Sequence, residues 1–181
     1  MGKKVIVAVL AIAVLAALAV PAPAPAQKGP IKIGFMAPMT GPAAQVGKDM
    51  SNGFLMWLEE NGNKIAGRPV EFILEDTQGQ PNVALTKMRK LVESDKAHVL
   101  SGILFAHIGY ALASKADEYK IPLLYPVAAA DDLTQRKPSK WVFRTGWASS
   151  QPSHPFGEYA AKTLKYKKIA TIGIDYAFGW E

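Results

Sequence analysis

"IKIGFMAPMTGPAAQVGKDM", Ile31 to Met50, decides how the rest of this chain is read. Its first six residues form a short apolar run, the mark of a buried strand. A small-residue loop follows, with Pro38, Pro42 and a Thr40-Gly41-Pro42 turn, and it offers no acid, base or nucleophile suited to catalysis before Lys48 and Asp49. Val46, Met50, Phe54, Trp57 and Leu58 then recur at helical spacing, up to the Asn- and Gly-rich "ENGNKIAGRP" that stops a helix. The unit is a strand feeding a helix through a loop poor in chemistry.

The unit repeats along the chain. "VEFILED" (Val70 to Asp76) reads as a second strand, and Pro81 opens a helix whose apolar face is Ala84, Leu85, Met88, Leu91 and Val92. Lys87, Arg89 and Lys90 read as its solvated side. "AHVLSGIL" is a third strand, "AHIGYALASKADEYK" a third helix and "IPLLYPV" a fourth strand. "KWVFRTG" is a further strand-like piece, a helix runs from about Ser150 to Leu164, and "KKIATIGI" (Lys167 to Ile174) reads as a new strand. Strands alternating with helices predict an α/β fold, a doubly wound parallel sheet covered on both faces. Such sheets bind ligands outside the carboxyl ends of their strands, near a switch in strand order. The chain ends at "DYAFGWE", directly after a strand and before the helix that should cover it, so a chain cut short at this end is expected.

The first 26 residues differ from the rest. Lys3 and Lys4 precede an unbroken apolar run, Val5 to Val20, and Ala24-Pro25-Ala26 is a small-x-small site of the kind signal peptidase cleaves. This predicts a secretory signal peptide over residues 1–26, against the alternative of an uncleaved membrane anchor. With no cysteine after the apolar run, lipid attachment there is excluded. Lys and Arg number 21 against 15 acidic residues; without Lys3 and Lys4 the balance is 19 against 15, mildly basic and scattered. No basic block interleaves with aromatics, which argues against a nucleic-acid partner. An exported chain without cysteine takes its stability from a core rather than from disulfides.

Enzyme signatures are missing. The sequence has no G-x-S-x-G elbow, Walker loop, G-x-G-x-x-G, H-E-x-x-H or C-x-x-C. His98, His107 and His154 lack metal-pair spacing. Glu75 and Asp76 end the second strand, but neighbours on a strand point to opposite faces, so they read as a polar strand end rather than an acid pair. Asp131-Asp132 reads as a turn or helix start whose carboxylate accepts backbone N–H groups. What remains is five strand-end loops with small, polar or aromatic residues: the opening loop, "GILFAHIGYA", "YPVAAADDLTQR", "TGWASSQ" and "DYAFGWE". Together they describe a pocket that buries a ligand without transforming it. Helix N-termini after Gln45 and Ala106 would suit an anionic group such as a carboxylate.

"IKIGFMAPMTGPAAQVGKDMSNG", "VEFILEDTQGQPNVALTKMRKLV", "IPLLYPVAAADDLTQR", "VFRTGWASSQ" and "IATIGIDYAFGWE" resemble the periplasmic leucine/isoleucine/valine-binding proteins, the solute receptors of branched-chain amino acid-type ABC importers. The likeness runs in register from Ile31 to the last residue. It implies the type I periplasmic-binding-protein fold, two α/β lobes joined by a hinge that close on a ligand. Residues 27–145 would form an incomplete N-terminal lobe and 146–181 the start of the second. It also implies a periplasmic monomer with no enzymatic activity and no cofactor or metal, partnered by a small-molecule ligand and membrane permease subunits. A ligand-sensing domain of a receptor or regulator with the same fold is the alternative; an enzyme of doubly wound fold is a third reading.

The resemblance also implies positions for ligand contacts. Where amino-acid receptors carry a serine after the third strand, this chain has Ala106, flanked by Phe105 and His107. Where they carry Ala-Thr after the fourth strand, it has Ala128-Ala129. Val46 stands for the aromatic of the opening loop, and Phe178 for the aromatic at the start of lobe two. Two hydroxyls that grip an α-amino acid are therefore replaced. Backbone N–H groups, with His107 as an added donor, could still hold a carboxylate, while Phe105, Trp147, Tyr176 and Phe178 could stack on a ring. The expected ligand is a small carboxylate, an aromatic or aliphatic acid without the α-amino group, with an amino acid-like ligand as the alternative.

Overall fold

The computed structural model describes residues 29–136 and 138–180. The apolar run read as a signal peptide lies outside them. The chain forms β1 (Ile31–Ala37), α1 (Ala44–Glu60), β2 (Lys64–Ile65), β3 (Arg68–Asp76), α2 (Pro81–Arg89), β4 (Val99–Ser101), α3 (Ala106–Tyr119), β5 (Leu123–Tyr125), β6 (Val142–Arg144) and α4 (Ser150–Lys162). A π-helical turn, Lys90–Ser94, extends α2, and 3-10 turns occupy Asp131–Leu133 and Ala177–Trp180.

The strand order is β2-β3-β1-β4-β5-β6. Five strands run parallel, and β2 is a short antiparallel edge on β3. β1 pairs with β3 from Ile31↔Val70 to Ala37↔Asp76 on one side. On the other it pairs with β4 from Ile33↔Val99 to Phe35↔Ser101. The chain therefore leaves β1 in one direction and returns past it in the other, which makes the gap between the carboxyl ends of β1 and β4 the switch point. Right-handed crossovers in opposite directions place α1 on one face and α2 with α3 on the other.

Alternation along β1 serves both layers. Phe35 points to the α1 side, where its ring meets Phe54 and Phe72 with centroids 5.6 and 5.4 Å away. Gly34 and Met36 point to the other layer. There Met36, Leu100 and Leu123 pack with Ala84, Met88 and Leu91 from the α2 side and Ile108, Leu112 and Ala116 from α3. Each fully buried side chain of this size contributes about 1.5–3 kcal/mol. An exposed pair such as Lys162–Glu158 contributes at most about 1, so the buried layer holds the sheet and helices together. α1 enters close under the first strand exit: a Cβ at Gly47 would collide with the Pro38 carbonyl.

The fold class is the expected one, with differences at the ends. "AHVLSGIL" gives only three ladder residues, because Gly102 turns away at φ +92° and a side chain there would strike the Phe35 ring. The hairpin edge β2 was not anticipated; two residues carry no periodic signal. Lys167 to Ile174, expected as a strand, forms no ladder, and Ile169, Ile172 and Ile174 are 60%, 102% and 76% exposed. Among the described residues no strand lies beside this segment, and backbone groups without a partner strand stay irregular. No helix among the described residues is long and apolar enough to cross a membrane.

Candidate functional site: a cavity at the carboxyl edge of the sheet

β4 ends at Ser101, and the chain runs through Phe105 into α3. Phe105 is the residue before the helix, held extended at φ −91°, ψ 135°, and its side chain gives the helix no cap. The first N–H to bond back within the helix is that of Gly109, which donates to the Phe105 carbonyl at 3.0 Å. The N–H groups of Ala106, His107 and Ile108 precede that bond, so the positive end of α3 carries donors open to an acceptor.

The loop after β5 forms the next wall. Ala128 N–H donates to the Ile103 carbonyl at 3.1 Å, binding this loop to the β4 exit. From β6, the Arg144 guanidinium donates to the carbonyls of Ala128 at 2.9 Å and Ala130 at 2.6 Å, to Thr134 Oγ1 at 3.0 Å and to the Trp147 carbonyl at 3.3 Å. Ala129 is thus fixed between two anchored carbonyls. Asp131, buried, accepts from Ser149 Oγ at 3.1 Å and from the Ser150 N–H at 3.3 Å, joining this loop to the start of α4. Burial raises its carboxyl, but the Ser150 and Ser149 donors outweigh that and hold it below the usual range. A Cβ at Gly146 would collide with the Pro126 carbonyl, so the β5 and β6 exits need a glycine there.

These walls enclose a cavity of about 150 Å³ lined by Phe105, Ala106, Ala129, Trp147, Tyr176 and Phe178, with Leu104 and Val127 completing it. The rings contact one another edge-on: Trp147 and Phe178 at 5.7 Å and 87°, Phe105 and Tyr176 at 6.1 Å and 90°. Tyr176 also lies 6.0 Å from Phe178. Burial pushes the Tyr176 phenol up, so it keeps its proton. No residue with a charged side chain is among those lining the cavity. Among the described residues no group of acidic or histidine side chains is placed to hold a metal ion.

Six of the nine residues singled out in the sequence line this one cavity. His107 sits behind Phe105, stacked on it at 5.4 Å, with its edge 5.9 Å from Tyr176. Its Nε2 lies 3.2 Å from the Gly79 carbonyl and must carry the proton there, because a carbonyl only accepts. Its Nδ1 is buried with no hydrogen-bond partner. Ala128 is buried beside Ala129, while Val46 is 46% exposed on the first turn of α1 and lines no part of this cavity. Sequence reading missed Leu104 and Val127, which look like strand ends, and the anchoring role of Arg144; Asp131 was read as a carboxylate accepting backbone N–H groups, and its partner proves to be the Ser150 N–H at the start of α4.

The acidic pair at the end of β3 divides as strand geometry requires. Glu75 faces α2, with Lys87 and Lys90 each at 2.7 Å. Burial raises its carboxyl, and the two ammonium groups outweigh that and keep it below the usual range. Asp76 faces the opening loop. Its Oδ1 accepts the Met39 and Gln78 N–H groups, both at 2.8 Å, and its Oδ2 accepts the Thr40 hydroxyl at 2.6 Å. Neither carboxylate reaches the cavity; both are structural.

Comparison with known proteins agrees with this architecture. A family model described as periplasmic binding protein matches residues 30–181. A Leu/Ile/Val-binding protein of Rhizobium johnstonii is 29% identical over 151 residues, covering 82% of this chain and 41% of that protein. A solute-binding protein of an ABC transporter from Rhodopseudomonas palustris BisB5, solved in complex with 3,4-dihydroxybenzoic acid, is 32% identical with a TM-score of 0.79, covering 84% of this chain and 41% of the other. A second solute-binding protein from R. palustris, in complex with benzoate, is 32% identical with a TM-score of 0.78, covering 84% and 42%. The chain spans about two fifths of the length of these relatives. With a parallel sheet, a cavity at its carboxyl edge and a family match over residues 30–181, the chain belongs to the periplasmic binding protein family.

Proposed function

We propose that this chain is the ligand-capturing part of an extracytoplasmic solute-binding protein that delivers a small carboxylic acid, aromatic rather than α-amino, to an ABC importer without transforming it. In this reading residues 27–145 and 146–181 belong to two lobes, the cavity lies where they meet, and membrane permease subunits receive the ligand from a monomer. Residues 1–26 act as the export signal.

The observation that carries the reading is the lining of the cavity: four aromatic rings with Ala106 and Ala129, the two alanines that the resemblance aligns with hydroxyl residues of amino-acid receptors. An α-ammonium buried here would bring three N–H donors. Leaving them unpaired costs several kcal/mol, and a ring face returns only about 0.5–2. A carboxylate fares differently, since the uncapped first turn of α3 offers N–H groups and the favourable end of the helix dipole. Several similar structures hold aromatic acids, benzoate and 3,4-dihydroxybenzoic acid among them. The matched relative named for leucine, isoleucine and valine supports the competing reading. Calorimetric titration with benzoate and with leucine separates the two. Benzoate is expected to bind and leucine to bind at least about tenfold more weakly, a gap of about 1.4 kcal/mol. Tight leucine binding with no heat from benzoate would overturn the aromatic-acid reading.

A further inference from the structure

Phe105 borders a second cavity as well. This one, about 180 Å³, lies on the opening-loop side, with Pro38, Pro42 and Ala43 as apolar wall and Thr40, Gln78 and Gly79 as polar wall. Phe105 is common to both cavities. We propose that Phe105 is a partition inside one bipartite ligand site, and that the second compartment takes a neutral, hydrogen-bonding extension of a longer aromatic acid. This rests on the reading that the first cavity holds an aromatic carboxylate.

The partition is held from three sides. His107 stacks on its ring at 5.4 Å, the Tyr176 ring meets it edge-on at 6.1 Å, and a Cβ on Gly79 would lie 3.2 Å from Phe105 Cε2. His107 is tied in turn to the Gly79 carbonyl. The walls of the second compartment are equally fixed, because Asp76 takes the N–H groups of Met39 and Gln78 and the hydroxyl of Thr40. The Thr40 proton is committed to that carboxylate, so toward a ligand its oxygen accepts. The Gln78 amide, on an exposed side chain, supplies both a donor and an acceptor. No residue with an ionised side chain is among those lining the compartment, which suits a hydroxyl, ether or amide and disfavours a second carboxylate. A cavity near 150 Å³ has room for about one benzene ring. For a second ring to pass from the first compartment into the other, Phe105 must be removed or displaced.

The test titrates the intact chain and its Phe105→Ala and Phe105→Leu variants with benzoate, 4'-hydroxybiphenyl-4-carboxylate and biphenyl-4,4'-dicarboxylate. Circular dichroism melting checks the fold, and Phe105→Leu keeps most of the packing should Phe105→Ala not fold. The affinity ratio of the hydroxybiphenyl acid to benzoate is expected to rise by about tenfold or more in Phe105→Ala and by less in Phe105→Leu. The dicarboxylate should gain nothing. Benzoate binding with an unchanged ratio in the folded variants overturns the partition, and an equal gain by the dicarboxylate overturns the neutral character of the second compartment. Absence of binding by the folded wild-type chain to any of the three acids overturns the aromatic-acid reading beneath it.

Discussion

Arg144 lines neither of the two cavities, yet it shapes the first. Its guanidinium gathers the carbonyls of Ala128, Ala130 and Trp147, so Ala129 and the Trp147 ring are positioned by one cation. Replacing it by methionine keeps the aliphatic stem and removes the donors. Hydrogen bonds to a charged group contribute about 1.5–3 kcal/mol. Arg144→Met should therefore lower stability by about 2 kcal/mol in urea unfolding and weaken acid binding in the same protein. Gly146 makes the companion point: Gly146→Ala puts a methyl on the Pro126 carbonyl and should cost about 1–3 kcal/mol by forcing the β5 and β6 exits apart. Trp147 lines the cavity itself. Trp147→Ala removes a ring packed on Phe178 and is expected to reduce benzoate affinity about tenfold with little change in melting temperature. None of these partners is adjacent in sequence. Only the alanines and aromatics of the strand-end loops were legible there, whereas Arg144 reads as a polar strand residue until its carbonyl partners are seen.

Loops and helix ends carry the next level of organisation. Asp76 and Asp131 each bind two loops, the first joining the β1 and β3 exits and the second joining the β5 exit to α4. Burial raises both carboxyls, and the donors facing them outweigh it, so both lie below the ordinary range in the folded chain. A folded value below the unfolded one means stability that is complete above the unfolded pKa and is lost as pH falls through the folded one. Melting temperature should then hold down to roughly pH 4, the unperturbed aspartate value, and drop below it. Asp76→Asn and Asp131→Asn should each flatten that acid drop in melts between neutral and acid pH. Strands and helices up to β6 were legible because parallel buried strands leave continuous apolar runs and their covering helices leave a periodic stripe. "KKIATIGI" carries the same apolar signal, yet a run of this kind becomes a strand only beside another, and the described residues provide none. Likewise Phe105 was visible as an aromatic beside a helix start. The stack with His107 and the bond from His107 to Gly79, 28 residues away, were not.

Taken whole, the molecule is a parallel sheet with an aromatic cavity at the carboxyl ends of β4, β5 and β6, beside an uncapped helix end. The parallel sheet follows from the alternation of strands and helices, and the cavity is built by the loops that leave the carboxyl ends of its strands. Its chemistry follows from which small and aromatic residues occupy the loops. In the proposed binding mode a ligand carboxylate meets the first turn of α3 while its ring lies among Phe105, Trp147, Tyr176 and Phe178. A crystal structure of the protein grown with benzoate and leucine together at equal concentration tests it most directly. The expected result is a benzoate ring within this aromatic wall, its carboxylate within hydrogen-bonding distance of the Ala106 or His107 N–H. Leucine in the cavity, or benzoate held elsewhere on the molecule, would contradict it.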